Sequence, residues 1–147
     1  MTLPEPRAYA IKAPVSDPGA ARFEFIAHKT MYGGKNIAAG DVVYVFASEN
    51  AGGAGLVARG VVTAAVPTPR RAGLERQTPR VSVSVQVTAR AHQALGRATL
   101  QRFDHWQDGL PQTELNFKLY RQATDKIVGL EAATTTFLDG LLGGRAS

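Results

Sequence analysis

The sequence predicts an α+β domain in which short strands carry the core and short helices flank them. Residues 41–47 (DVVYVFA) are apolar on both faces when extended, with Val42, Tyr44 and Phe46 on one side and Val43, Val45 and Ala47 on the other. That is the mark of a central strand covered on each side. Residues 80–90 alternate cleanly, with Val81, Val83, Val85 and Val87 on one face and small polar residues between Arg80 and Arg90 on the other, as a half-buried strand requires. Two later stretches, 91–106 and 131–142, place apolar residues at helical spacing.

The remaining elements follow in order. Residues 1–7 are Pro-rich and expected to be loose, as are residues 143–147. Residues 8–13 (AYAIKA) alternate and read as a first strand stopped by Pro14. Asp17-Pro18-Gly19 signals a turn, and residues 20–28 read as a helical turn followed by a short strand over 23–26. Residues 28–40 (HKTMYGGKNIAAG) form a linker in which Lys29, Tyr32, Lys35 and Asn36 supply cations, a stacking face and an amide around paired glycines. Such a mixture suits a nucleotide, and a connecting loop whose tyrosine packs on the core fits equally well. The GxxxxGK[ST] spacing of a Walker loop is absent.

After the central strand, residues 48–55 (SENAGGAG) are too Gly-rich to continue it and too long for a two-residue hairpin. Ser48, Glu49 and Asn50 are thereby delivered by a rigid strand to a loop, where binding residues are often found; a solvated hairpin loop is the alternative. Residues 56–66 form the returning strand. Residues 67–79 are a polar loop with three prolines and the arginines Arg70, Arg71 and Arg76. In the helix over 91–106, Leu100, Phe103 and Trp106 share a face, and Trp106, the only tryptophan, sits where that helix gives out. It is either packed or one wall of a base-binding cage. Residues 113–121 (TELNFKLYR) alternate and read as a strand, 127–130 as a short apolar piece. The final helix buries Phe137, Leu138, Leu141 and Leu142, with Gly143-Gly144 as its C-terminal stop.

The 147 residues suit a single domain spanning 1–147, and 44% hydrophobic residues suffice for a core. No apolar run approaches the ~20 residues of a membrane span, residues 1–14 lack the apolar segment of a signal peptide, and there is no cysteine, which excludes disulfides and thiolate metal sites. A cytoplasmic protein is expected. The formal net charge is +5, and it is concentrated: Arg59, Arg70, Arg71, Arg76, Arg80, Arg90, Arg97 and Arg102 are offset between residues 50 and 102 by Glu75 alone. Arginine forks onto phosphate and stacks on bases, so a polyanionic partner is favoured, with a basic surface that serves only solubility as the alternative, and no membrane partner is expected.

Catalytic motifs are thin. His28, His92 and His105 have no metal-ligand spacing, and neither HExxH nor GxSxG occurs. No metal, cofactor or catalytic residue is expected.

The order of these segments, with GGK at 33–35, GDVVYVFASE at 40–49, GLVARGVV at 55–62 and LYRQATDKIVGL at 119–130, resembles the PUA-like superfamily, and within it the EVE domain, with the ASCH domain second. The resemblance runs from Tyr9 to Leu142. It implies a strongly bent β-barrel of about five to seven strands with flanking short helices, and a role in nucleic-acid binding, DNA or RNA, in which a modified or flipped base enters near the ends of the first and central strands. By matching position it implies Lys12, Ser48, Glu49, Arg121 and Gln122 at that site. Chemistry adds Tyr32, Lys35, Trp106 and Tyr120 to them, and Arg70 and Arg71 as phosphate contacts. The ASCH resemblance implies an alternative, a hydrolase of modified nucleosides with Lys35 as nucleophile or base and Glu49 as acid. A protein-interaction domain is a third reading.

Overall fold

The computed structural model describes residues 8–73 and 77–145, so Arg76 and the two ends expected to be loose lie outside the described residues, apart from residues 143–145. Seven strands form one sheet: β1 (Ala8–Ala13), β2 (Arg22–Met31), β3 (Val42–Ala47), β4 (Gly55–Pro67), β5 (Arg80–Ala91), β6 (Lys126–Gly129) and β7 (Leu142–Arg145). Their order is β2-β6-β1-β3-β4-β5-β7, and a further β2–β5 pairing closes the first six into a barrel, leaving β7 on the outside of β5. The β1–β3 and β2–β6 pairs are parallel and the others antiparallel.

The closure depends on a break in β2. Residues 22–29 pair with β5, with the register shifting between Phe25 and His28, and Thr30 and Met31 then pair with β6. Ala27 sits there in the left-handed region (φ 53), held by its N–H on Ser82 Oγ (2.9 Å) and by Arg80 Nη1 donating to its carbonyl (2.9 Å). Bulges of this kind bend a strand and increase its twist, which a six-stranded barrel needs.

Apolar side chains fill two cores. The first draws on all six barrel strands, including Tyr9, Ile11, Phe25, Val43, Val45, Ala58, Ile127 and the four valines of β5. The second lies between the outer face of β1, β3 and β6 (Ala10, Tyr44, Phe46 and Val128) and a helical layer contributing Leu100, Leu115, Leu119 and Leu138. The central strand is apolar on both faces because each face meets its own core.

The helical layer differs from the sequence-based expectation. Residues 113–120 are helical: α2 (Pro111–Leu115) runs directly into a π-helical turn (Asn116–Tyr120), which Arg121 follows. Pro111 opens it, and Asp108 caps the approach by accepting from Leu110 N (2.9 Å) and Thr113 Oγ1 (3.0 Å), both favourable at a helix start. Over residues 91–106 only α1 (Arg97–Leu100) is helical. Leu95 is tied instead to β4 by Leu56 N donating to its carbonyl (2.8 Å). The last helix, α3, is Ala132–Asp139, and Gly143-Gly144 belongs to β7, with Gly144 paired to Arg90. A Cβ on Gly143 would crowd the His92 ring, which would have to shift. The helical turn expected before residue 23 is absent, and β2 continues through His28 and Lys29 to Met31.

Candidate nucleic-acid interface

Parallel pairing brings β1 and β3 to an end at the same level: Lys12 stands beside Phe46 and Ala13 beside Ala47. Antiparallel β6 begins there, with Lys126 directly opposite Lys12. Ser48 is buried and fixes the exit of β3, its N–H donating to Ala13 O (2.8 Å) and its carbonyl accepting from Gly53 N (2.9 Å). Glu49, in the 3-10 turn Glu49–Ala51, accepts from Arg97 N through Oε1 (2.7 Å). Asn50 Nδ2 donates to Ala123 O (3.3 Å), and Lys12 Nζ donates to Gln122 O (3.4 Å) while lying 5.3 Å from the Tyr120 ring centre. Lys12, Ser48, Glu49, Asn50, Tyr120, Arg121 and Gln122 are thus gathered at one end of the barrel.

That end is electrostatically loaded. Lys12 is 2% and Lys126 1% exposed. Burial lowers the Lys126 ammonium to about 8, helped by the positive charges of Lys12 and Arg121 and opposed by Asp125. Burial also lowers Lys12, against the pull of Asp125. Burial raises the Tyr120 phenol, and the nearby Glu49 carboxylate raises it further. The Tyr120 hydroxyl and Asp125 Oδ1 are buried without a hydrogen bond of proper geometry. His28 is lowered by burial, with Asp125 opposing and Arg80 assisting.

Lys29, Lys35, Arg70 and Arg71 occupy a different place. With Arg80 they line a groove of about 550 Å³ between β2, the 3-10 turn Gly34–Asn36 and the β4–β5 connection. Tyr32 and Asn36 line another groove, of about 750 Å³, together with Tyr9 and Lys118. Tyr32 is left-handed (φ 51), and its carbonyl accepts from Gly129 N (3.0 Å), across from Tyr9. It therefore stands about 10 Å along β1 from Lys12, three residues of strand away. Trp106 is 45% exposed and meets Phe117 edge-on (5.4 Å), Phe117 meets Tyr32 (5.8 Å), and the Arg121 guanidinium lies over Phe117 at 3.9 Å. Trp106 and Tyr32 thus share a partly exposed aromatic row and wall no cage around Glu49.

Lys126, Asp125, Arg97, Phe117 and Arg80 join these sites without having been singled out by the sequence for them. Lys126 and Asp125 sit in a polar run that reads as a solvated turn; the β1–β6 register buries Lys126, and Asp125 precedes it half-buried. Glu49 faces Lys12 and Arg97, whereas Lys35 lines the basic groove, so the Lys35–Glu49 pairing of the hydrolase reading has no shared site. Among the described residues no group of His, Cys, Asp and Glu side chains stands ready to hold a metal ion, and no helix is long and apolar enough to cross a membrane.

A closed six-stranded mixed barrel with one added strand and short helices against its β1–β3 face is the PUA-like fold. Solved structures bear this out. The human THYN1 protein, crystallised in complex with 5-methylcytosine-containing DNA, matches with a TM-score of 0.60 at 13% identity, over 92% of this chain and 96% of that one. The DUF55 domain of human thymocyte nuclear protein 1 matches with 0.59 at 13%, over 91% and 97%, and a hypothetical protein from Leishmania major with 0.56 at 14%, over 92% and 94%. No protein-family model matches the sequence, and no curated protein matches it. At these identities the likeness is one of fold.

Proposed function

We propose that this protein is a single-domain nucleic-acid-binding module that takes one unstacked, modified base at the end of the barrel formed by β1, β3 and β6. The observation that carries the reading is the convergence of Lys12, Lys126, Tyr120 and Asp125 there, with the Tyr120 hydroxyl and Asp125 Oδ1 buried and unsatisfied. A buried polar group without a partner costs about 1–3 kcal/mol, and such groups persist where a ligand completes them. A carboxylate accepts from an exocyclic amine of a base. A phenol serves either a donor or an acceptor on the same edge. The lysines and Arg121 balance the phosphate that a flipped nucleotide brings with it. The same-fold human protein bound to methylated DNA makes 5-methylcytosine the first modification to test.

Fluorescence anisotropy with short single- and double-stranded DNA and RNA, plain and modified, at two salt concentrations tests this. A reader binds one modified base more tightly, keeps that preference at high salt, and loses it on Asp125→Ala. Binding that ignores base identity and vanishes with salt would reduce the protein to a basic surface and sink the reading.

A further inference from the structure

The basic groove is built from segments that lie far apart in the chain. Lys29 comes from β2, Lys35 from the 3-10 turn, Arg70 and Arg71 from the β4–β5 connection, and Arg80 from the start of β5. No carboxylate is among the described lining residues. Lys29, Lys35, Arg71 and Arg80 gathered around one cavity repel one another, which favours an anion there.

The groove is also held in shape. Thr68 N donates to Arg80 O (2.8 Å) and Thr30 N to Pro79 O (3.0 Å), which closes the hairpin and ties it to β2. Gln77 clamps Arg71 by accepting from its N–H (2.8 Å) and donating to its carbonyl (2.7 Å). Arg80 is anchored through Nη1 on Ala27 O. The cations are thus presented from a braced frame. Its position is equally specific: β2 runs parallel to β6 with Thr30 beside Ile127, which sets Lys29 at the level of Lys126, next to the base site.

We propose that this groove binds consecutive phosphates of a nucleic-acid strand that runs past the barrel end, so that affinity resides in a site beside, and separable from, the proposed base site. This rests on the nucleic-acid reading above but not on base recognition. The test is a salt titration of a labelled plain and a labelled modified single-stranded oligonucleotide against the full chain. Wild type is compared with Arg70→Gln/Arg71→Gln, Lys29→Gln/Lys35→Gln, and a charge-matched control, Arg22→Gln/Arg102→Gln, outside the groove.

Removal of each phosphate-binding cation should flatten the slope of log affinity against log salt by about 0.7. Both groove variants should show this, the control should not, and the modified-to-plain ratio should stay at its wild-type value. An unchanged slope in the groove variants, or equal flattening in the control, overturns the groove, with thermal melts confirming that all variants are folded. If the ratio is one in every protein but the groove variants alone flatten the slope, base reading has failed and the groove stands.

Discussion

Lys12 and Lys126 are directly opposed across the antiparallel β1–β6 pair, and both are buried. Like charges facing each other across strands destabilise a sheet, and burial of an ammonium adds to that cost. Asp125 and the Lys12 bonds to Gln122 O and the Tyr120 face offset only part of it. Two cations and an unsatisfied carboxylate oxygen at this end of the barrel are the features on which the proposed base site rests.

The stability of the free protein should therefore depend on pH in a definite way. Lys126 titrates at about 8 in the fold against 10.5 normally. Between those values the unfolded chain holds more protons, so stability rises with pH from about 8 toward 10.5. Lys12, also lowered, acts in the same direction. Tyr44 and Tyr120 are raised by burial, so above pH 10 the fold retains protons that the unfolded chain loses, and stability falls. His28, lowered by burial, makes stability fall as pH drops below about 6.5. Thermal melts across this range should show a maximum near pH 10. Lys126→Met should raise stability at pH 7 by on the order of 2–3 kcal/mol and weaken the rise above pH 8. A melting temperature flat from pH 8 to 10 in the wild type would contradict this account.

Tyr44 ties the central strand to the helical layer. Its hydroxyl donates to Asp139 Oδ1 (2.7 Å) at the end of α3, and Asp139 in turn meets Arg59 of β4 (3.3 Å). Because Asp139 and Arg59 are partly exposed and remain hydrated when the hydroxyl goes, Tyr44→Phe should cost only about 0.5–1.5 kcal/mol in urea denaturation. A loss several times larger would mean that the three groups form one coupled network.

Gly33 and Gly34 make opposite demands. A Cβ on Gly34 would overlap the Ile127 carbonyl, so the 3-10 turn carrying Lys35 lies flat on β6. Gly33 has open space but φ of 82°. Gly33→Ala should cost about 1 kcal/mol through backbone conformation alone and leave the fold intact. Gly34→Ala should cost more and displace Lys35 from the basic groove, lowering oligonucleotide affinity as well as melting temperature. Equal affinity in the two variants would show that Lys35 does not need this seat.

Individual strands were legible because they obey period two, and the central strand announced cover on both sides by being apolar on each face; their closure into a barrel was implied by the resemblance alone. Residues 113–121 misled for an arithmetic reason. Leu115 and Leu119 are four apart, which is one helical turn and also an even strand spacing, and Phe117 completes the alternation. In the fold the leucines are buried on one helical face while Phe117 lies half-buried on the outside under Arg121. Lys12, Glu49 and Gln122 were reachable through resemblance. Lys126 and Asp125 were not, because a polar Thr-Asp-Lys run looks solvated until strand register puts it beside β1. The arginines at 70 and 71 were visible, but their union with Lys29 and Lys35 depends on the β2–β5 pairing that sets Lys29 opposite Arg80.

Tyr120 separates the two roles a buried phenol can have. Its hydroxyl lies near the Glu49 carboxylate without a well-formed hydrogen bond, so removing it should relieve an unsatisfied group. Tyr120→Phe should leave stability unchanged or raise it by up to about 1 kcal/mol, while the ring still supports Lys12. If the hydroxyl instead waits for a base edge, the same variant should lose about tenfold in affinity for the preferred modified base, roughly one charge-free hydrogen bond at 1.4 kcal/mol, and nothing for the plain oligonucleotide. A variant that is both less stable and unaltered in selectivity would identify Tyr120 as a core residue and shift base contact to Asp125 and the lysines. Measuring urea stability and modified-base affinity on one preparation distinguishes the cases, because a structural role moves the first quantity and a recognition role the second.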